Sequence, residues 1–266
     1  MGAHISEAAE GAPACWHSPP AFPALNRDEV HVWRVPLDVS PEIVAGLLPL
    51  LSADERARAE RFLAKDASRR FVASHGALRT LLACYLDEKP ERLRFRLDAR
   101  GKPYLDPPAG TLSLRFSLSH SGELALCAVT EGRDVGVDVE RIHPVSAWRE
   151  IAARYFSADE QQALRALSGD RAIEAFFRGW TRKEAYSKAL GDGVSQAWTQ
   201  FSVSLAPDPV TELPDTRSEG GQGSRFTLCA LESGTGYVAA VAAQGVGWCL
   251  RCWHWAWAAE TVARIA

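Results

Sequence analysis

The chain has 266 residues, 47% of them hydrophobic and 24% charged, enough for one large domain or two modest ones around a substantial core. A net charge of -3 excludes a whole-protein attraction to nucleic acid or to an anionic membrane, so any basic site must be local. The cysteines at 15, 84, 127, 229, 249 and 252 follow a start with neither a charged segment nor an apolar h-region, which implies free thiols in a reducing cytoplasm.

Residues 1–25, rich in Ala, Pro and Gly without periodicity, are expected to form a mobile extension from which Trp16 and Phe22 can pack on the body. Val30 to Leu37 alternates as a first strand. Ser40-Pro41-Glu42 then provides an N-cap, a proline at the first helical position and an acidic first turn for a helix to about Leu51. Ser52 and Glu55 form a capping box opening a helix that carries Arg58, Arg61 and Lys65 at i, i+3 and i+7 on one face. Arg69, Arg70 and Arg79 add positive charge, but Asp54, Glu55, Glu60 and Asp66 balance it, so this alone is a solvated charged face. Phe71, Leu78, Leu81, Leu82 and Tyr85 recur at helical spacing and belong to a core.

Strands are expected at 93–97, 114–118 and 124–130, the last two joined by S-H-S-G at 119–122, which puts His120 at a turn. A lone histidine there is structural or merely exposed, although Ser119, Ser121 and Gly122 around it make a polar, close-approach site that suits a phosphate. Lys102, in a tight G-K-P turn, is equally ambiguous by itself. V-G-V-D-V-E at 135–140 is more informative: strand side chains alternate, so Asp138 and Glu140 share one face while Val135, Val137 and Val139 share the other. Two hard oxygen ligands side by side suit Mg²⁺ held against a phosphate.

Two short helices follow, at 146–155 and 158–167, with Glu160 in the capped first turn of the second, where helix stabilisation is the plain explanation. Arg171 to Leu190 is the long helix of this half, closed by Gly191-Asp192-Gly193. Phe177, Trp180, Glu184 and Lys188 run along one stripe of it. Were Glu184 to point at Asp138 and Glu140, three carboxylates would converge, and such a cluster repels itself unless a cation sits in it. Strands are expected at 201–205, 225–231, 237–242 and 248–255, with a long exposed loop at 207–223. The apolar run 237–259 is interrupted by Gln244, Arg251 and His254 and reads as two strands rather than a membrane span. Cys249 and Cys252 would lie on opposite faces of a strand with no second pair to complete a zinc site. Trp253, Trp255 and Trp257 share a face and cover a core or an interdomain surface. The pattern implies an α+β protein with an N-terminal half at 26–131 and a C-terminal half at 132–266, although no internal repeat is visible.

V-G-V-D-V-E, followed by F-F-R-G-W-T-R-K-E-A-Y-S-K-A-L-G-D-G and preceded by F-S-L-S-H-S-G and G-K-P-Y-L, resembles the 4′-phosphopantetheinyl transferases of the surfactin-synthetase-activating, Sfp-like type. The resemblance covers about Val30 to Val203. It implies a cytoplasmic monomer of two similar α+β halves with coenzyme A in the cleft between them. Such enzymes move the phosphopantetheine arm of coenzyme A to a serine of an apo acyl or peptidyl carrier protein of fatty acid, polyketide or nonribosomal peptide synthesis, releasing adenosine 3′,5′-bisphosphate. Carried over by position, Asp138, Glu140 and Glu184 would ligate Mg²⁺ or Mn²⁺ and Lys188 would contact the pyrophosphate. Lys102, Ser119 and His120 would hold the nucleotide end, Arg58 and Arg70 its phosphates, and Lys183 would join this coenzyme-binding set. Glu160 matches an acidic position associated with proton transfer. Glu55 departs from the pattern, standing where relatives are often basic.

Elementary chemistry agrees with these expectations. Arginine and lysine donors complement the phosphates of coenzyme A, and a ligand set made only of carboxylates selects a hard cation over Zn²⁺. The serine proton needs an acceptor, for which Glu184 and Glu160 are both candidates. Clustered carboxylates also serve metal-dependent phosphodiesterases, and a non-catalytic coenzyme A-binding module needs only the basic groups.

Overall fold

The computed structural model describes residues 16–19, 23–106, 113–194, 196–207, 210–215 and 225–257. Two sheets and two long helices stack in four layers. The first sheet has the order β1 (Trp16–His17), β11 (Cys249–His254), β2 (Glu29–Pro36), β6 (Leu124–Glu131), β5 (Leu114–Ser121), and the second β7 (Val135–Arg141), β10 (Tyr237–Gln244), β9 (Arg225–Leu231), β8 (Val210–Pro214). A small hairpin, β3 (Phe95–Leu97) and β4 (Pro103–Leu105), stands apart.

Strand alternation assigns each face. Val30 and Val32 of β2 and Leu124, Leu126 and Ala128 of β6 meet Val135, Val137 and Val139 of β7 in the core between the sheets. Trp33 and Val35, with Ala125, Cys127 and Val129, face the other way onto Ala73, Ala77, Leu78, Leu81 and Leu82 of α3 (Lys65–Leu86). Strand β6 is therefore apolar on both faces, as a central strand must be. On the far side of the second sheet, Ala185, Tyr186, Ala189 and Leu190 of α6 (Gly169–Leu190) pack on Phe226, Leu228, Ala240 and Ala242. Each Val or Leu side chain fully buried this way contributes about 1.5–3 kcal/mol.

Several expectations are corrected by the backbone. The first helix, α1 (Pro41–Leu47), passes into a 3-10 turn at Leu48–Leu50, where Pro49 lacks the N–H that would continue it. The capping-box helix α2 (Ala53–Glu60) ends before α3 begins, with the Ser68 hydroxyl donating to Ala59 O at 2.8 Å. Arg58, Arg61 and Lys65 thus do not share one helical face. Strand β5 continues through His120 to Ser121, and the turn is made at Gly122, whose φ of 56° and whose closeness to the Tyr237 hydroxyl, 2.6 Å from where a Cβ would stand, leave room only for glycine.

The segment 201–205 is irregular rather than a strand. Its carbonyls and those around it are taken by side chains of α6: Lys183 Nζ donates to Trp198 O and Phe201 O, and Arg182 to Ala206 O. Part of the expected loop at 207–223 is instead strand β8, because Leu213 alternates inward into the core beside Phe226; positions 208–209 and 216–223 lie outside the described residues. Strand β11 returns to the first sheet and lies parallel to β2, so the C-terminal half closes the N-terminal half's sheet. Trp253, Trp255 and Trp257 pack on the core under α3. Of the expected N-terminal extension, Trp16 and His17 pair with β11, and Trp16 Nε1 donates to Glu232 O; residues 1–15 and 20–22, Phe22 included, lie outside the described residues. The helices α4 (Trp148–Tyr155) and α5 (Ala158–Arg165) lie close to their expected places. Among the described residues no helix is long and apolar enough to cross a membrane, and Cys84, Cys127, Cys229, Cys249 and Cys252 are free thiols.

Candidate active site

The two sheets meet at a seam between β5 and β7 that is joined by side chains. Ser117, Ser119 and Ser121 alternate onto the same face of β5 and each reaches β7. Ser117 Oγ accepts from Val137 N at 3.1 Å, Ser119 Oγ donates to Asp138 Oδ1 at 2.7 Å, and Ser121 Oγ donates to Glu140 Oε2 at 2.7 Å. The serines that suggested a phosphate site thus orient the two carboxylates.

Gly136 brings the remaining groups to this seam. A Cβ on it would fall far inside contact distance of Ala185 O and Ala189 N, so α6 lies directly on the backbone of β7. That approach sets Lys188 Nζ 2.6 Å from Asp138 Oδ1 and 3.0 Å from Ser119 Oγ. Gly136→Ala is expected to push α6 off the sheet at a cost of about 3 kcal/mol, read as a lowered urea midpoint. A loss below about 0.5 kcal/mol would show that the contact sets nothing.

Asp138 is 2% exposed. Burial raises its pKa, against the lowering effects of Lys188 and Ser119. Glu140 is raised by burial and by the charge of Asp138. Glu184 is pushed up to about 7, first by burial and then by Asp138, with Glu140 adding to the effect and Lys188 opposing it. The three carboxylates therefore act on one another through charge. Among the described residues no three His, Cys, Asp or Glu side chains are arranged to hold a metal ion: Asp138 turns to Lys188 and Ser119, Glu140 to Ser121. The donor chemistry nevertheless fits a hard cation. All three groups offer carboxylate oxygens, Asp138 Oδ2 is buried without a hydrogen-bond partner, and the mutual repulsion is what a divalent charge would relieve.

Beside this cluster opens a cavity of about 570 Å³, with Lys188, Ser187 and Gly191 on the α6 side and Glu55, Arg58, His75, Arg100 and Lys102 on the other. Leu78, Phe95, Leu97, Phe116 and Leu118 give it an apolar wall. Lys102 Nζ donates to Val135 O at 3.2 Å and Ala189 O at 2.8 Å, and Arg100 pairs with Asp192. The β3–β4 hairpin is thereby tied across the cavity to the end of α6. Arg58 lies over the Phe71 ring at 5.1 Å. Arg70 pairs with Glu123. His120 is held below the ordinary histidine pKa by partial desolvation and then by the positive charges of His75, Lys188, Arg58 and Arg70. A point surrounded by that many cations favours an anion.

Glu160 and Lys183 are placed differently. Their side chains are 2% and 0% exposed and form an ion pair at 3.0 Å. Glu160 Oε2 also accepts from Ser157 N at 2.7 Å, and Oε1 from Val203 N at 2.7 Å. The Lys183 ammonium is taken up by Glu160, Trp198 O and Phe201 O, while burial lowers its pKa and Glu160 opposes the fall. The pair fastens α6, the start of α5 and the 198–203 segment together, and neither residue lines the cavity.

Sequence reasoning missed the group behind the cavity wall. Glu55 Oε1 meets His75 Nδ1 at 3.2 Å and Oε2 accepts from Arg79 Nε at 2.7 Å and Ser52 N at 2.8 Å. Burial alone would raise Glu55, but His75, the Ser52 N–H and Arg79 hold it at about 2. The only sequence signal was Phe71 and His75 one helical turn apart, which now stack at 4.0 Å.

The 4′-phosphopantetheinyl transferase superfamily pattern matches residues 134–242, which hold β7 and α6, and the pattern of the 4′-phosphopantetheinyl transferase N-terminal region matches residues 39–132. The 4′-phosphopantetheinyl transferase HetI of Nostoc sp. is 39% identical over 240 residues, covering 90% of this chain and 98% of HetI. The 4′-phosphopantetheinyl transferase Sfp of Bacillus subtilis is 30% identical over 193 residues, covering 69% of this chain and 83% of Sfp. The 4′-phosphopantetheinyl transferase AcpT of Salmonella typhi is 38% identical over 162 residues, 61% of this chain and 79% of AcpT. With near-complete overlap at this identity, and both halves matched, the chain belongs to the 4′-phosphopantetheinyl transferase family.

Proposed function

We propose that the chain transfers the 4′-phosphopantetheine arm of coenzyme A to a serine of an apo acyl or peptidyl carrier protein, with Mg²⁺ or Mn²⁺, releasing adenosine 3′,5′-bisphosphate. The observation that carries this reading is the meeting of a self-repelling carboxylate cluster and Lys188 at the edge of a cation-lined, partly apolar cavity. The aromatic and leucine wall suits an adenine ring, and Arg58, His120 and Lys188 suit its phosphates. Asp138, Glu140 and Glu184 would hold the cation, which when bound would neutralise charge on the pyrophosphate and its leaving bisphosphate.

The chain's own residues have distinct tasks in this reading. Lys188 donates to the pyrophosphate in place of the hydrogen bonds it gives Asp138 and Ser119 in the free protein. Ser119 and Ser121 fix the carboxylate orientations. Glu184, a carboxylate of this cluster on α6, is the candidate to accept the serine proton. Glu160 is not, because both its oxygens already accept hydrogen bonds in a buried pair; it and Lys183 position α6. Incubation with apo carrier, coenzyme A and Mg²⁺ should add one phosphopantetheine to the carrier by mass spectrometry. Absence of transfer across a panel of apo carriers, or phosphodiester hydrolysis that needs no carrier, would overturn the proposal.

A further inference from the structure

The β3–β4 hairpin belongs to neither large sheet and bridges the cavity, fixed at its base by buried groups and fastened at its tip by exposed ones. At the base Leu93 and Leu105 are buried, and the Phe95 ring lies 5.3 Å from Phe116 with the Arg79 guanidinium over its face at 4.9 Å. The tip is a closed unit of its own. Asp98 Oδ1 accepts from Arg100 N at 2.8 Å and from Lys102 N at 2.9 Å, while Asp98 N donates to Lys102 O at 3.0 Å. Gly101, with a φ of 86°, lets the chain reverse there. Between base and tip, Leu97 lines the cavity while 68% exposed, an apolar side chain that a bound ligand would cover.

The end of α6 receives the tip. Gly191 closes the helix with its N–H donating to Ser187 O at 2.8 Å, and Asp192 N donates to the same oxygen at 3.1 Å. Asp192 is therefore held by the helix end, and its carboxylate takes Arg100 in an ion pair whose side chains are 49% exposed on Arg100 and 36% on Asp192. A pair this open is weak and screened by salt, so it parts readily. Lys102 adds its hydrogen bonds to Val135 O and Ala189 O. We propose that the hairpin is a strap over the cavity, that the Arg100–Asp192 pair is its latch, and that the nucleotide enters and leaves when the latch parts; the identity of that ligand rests on the transferase reading above. The self-bonded tip moves as one piece on the buried base. Lys102 grips the turn of α6 that carries Lys188, so closure also steadies the amine that meets the pyrophosphate.

The experiment follows uptake and release of coenzyme A and of adenosine 3′,5′-bisphosphate by stopped flow. Arg100→Gln and Asp192→Asn should each raise the release rate of both ligands about two- to fivefold, the worth of an exposed ion pair. The charge swap, Arg100→Asp with Asp192→Arg, should bring the rates back toward wild type. A Cβ on Gly191 would lie 3.6 Å from Lys102 Cβ, a separation that a disulfide spans. Lys102→Cys with Gly191→Cys, oxidised without ligand, should therefore take up adenosine 3′,5′-bisphosphate, which has no thiol to exchange, at least about tenfold more slowly than the same variant reduced. Equal uptake by the two forms, release rates unchanged by parting the latch, or an effect of Arg100→Gln that Asp192→Asn does not share would overturn the proposal. Rates that follow the latch in a protein that transfers nothing to any carrier would strike the transferase reading and leave the strap standing.

Discussion

Glu184→Gln is expected to abolish transfer and, at the same time, to make the metal-free protein more stable above neutral pH. The two effects share one cause. In the free protein Glu184 sits partly buried beside Asp138 and Glu140, and its pKa is raised from 4.5 to about 7. A carboxyl whose folded-state pKa lies above its unfolded value favours the folded state while it is protonated. That contribution is complete below about pH 4.5 and is lost as the pH rises through about 7. At pH 8 the folded chain carries an anion it would rather not hold, a penalty on the order of 1–3 kcal/mol after allowance for its partial exposure. Glutamine removes that charge and keeps the shape. It also removes a ligand from the proposed Mg²⁺ site and the acceptor proposed for the serine proton, so turnover should fall by at least about a hundredfold. Thermal unfolding at pH 8 should show the variant above wild type without Mg²⁺, and only the wild type should gain several degrees when Mg²⁺ is added. A variant that is less stable than wild type in metal-free buffer would mean that the carboxylates do not repel one another. One that transfers normally would remove Glu184 from the site.

The strand carrying Asp138 disclosed its arrangement from sequence because period-2 alternation has only one physical outcome: the valines enter the core between the sheets and the acids face the seam. The stripe on α6 was legible for the same reason, with helical spacing carrying Glu184 and Lys188 toward the face that Gly136 allows to dock. What could not be read were pairings that depend on the third dimension alone. Lys183 precedes Glu184 in the chain, but a step of one residue turns it away around the helix, into a buried pair with Glu160. The segment 201–205 had a strand's composition, yet Lys183, Arg182 and Glu160 took the backbone groups a neighbouring strand would have used. Parallel pairing of β11 with β2 joins residues more than two hundred positions apart, and local pattern carries no information on such a partner. Glu55 was legible as a capping residue but not as the anchor of His75 and Arg79, which lie on the next helix.

Lys183→Met is expected to cost about 3–5 kcal/mol of stability. Removing the ammonium leaves Glu160 2% exposed with its charge uncompensated and frees Trp198 O and Phe201 O from their donor; breaking one side of a buried ion pair costs far more than removing both. Glu160→Gln should cost less, since glutamine at the same position of the helix still closes the capping box with Ser157. The double variant, Glu160→Gln with Lys183→Met, should recover part of the loss, and the coupling between the two sites should exceed about 1 kcal/mol in urea unfolding. The kinetics separate positioning from chemistry. As a brace for α6, the pair should affect turnover in proportion to the misplacement of Glu184 and Lys188, so turnover in Glu160→Gln should fall only in step with its loss of stability. Loss of turnover in Glu160→Gln at unchanged stability would instead make Glu160 the proton acceptor and dismiss Glu184 from that role.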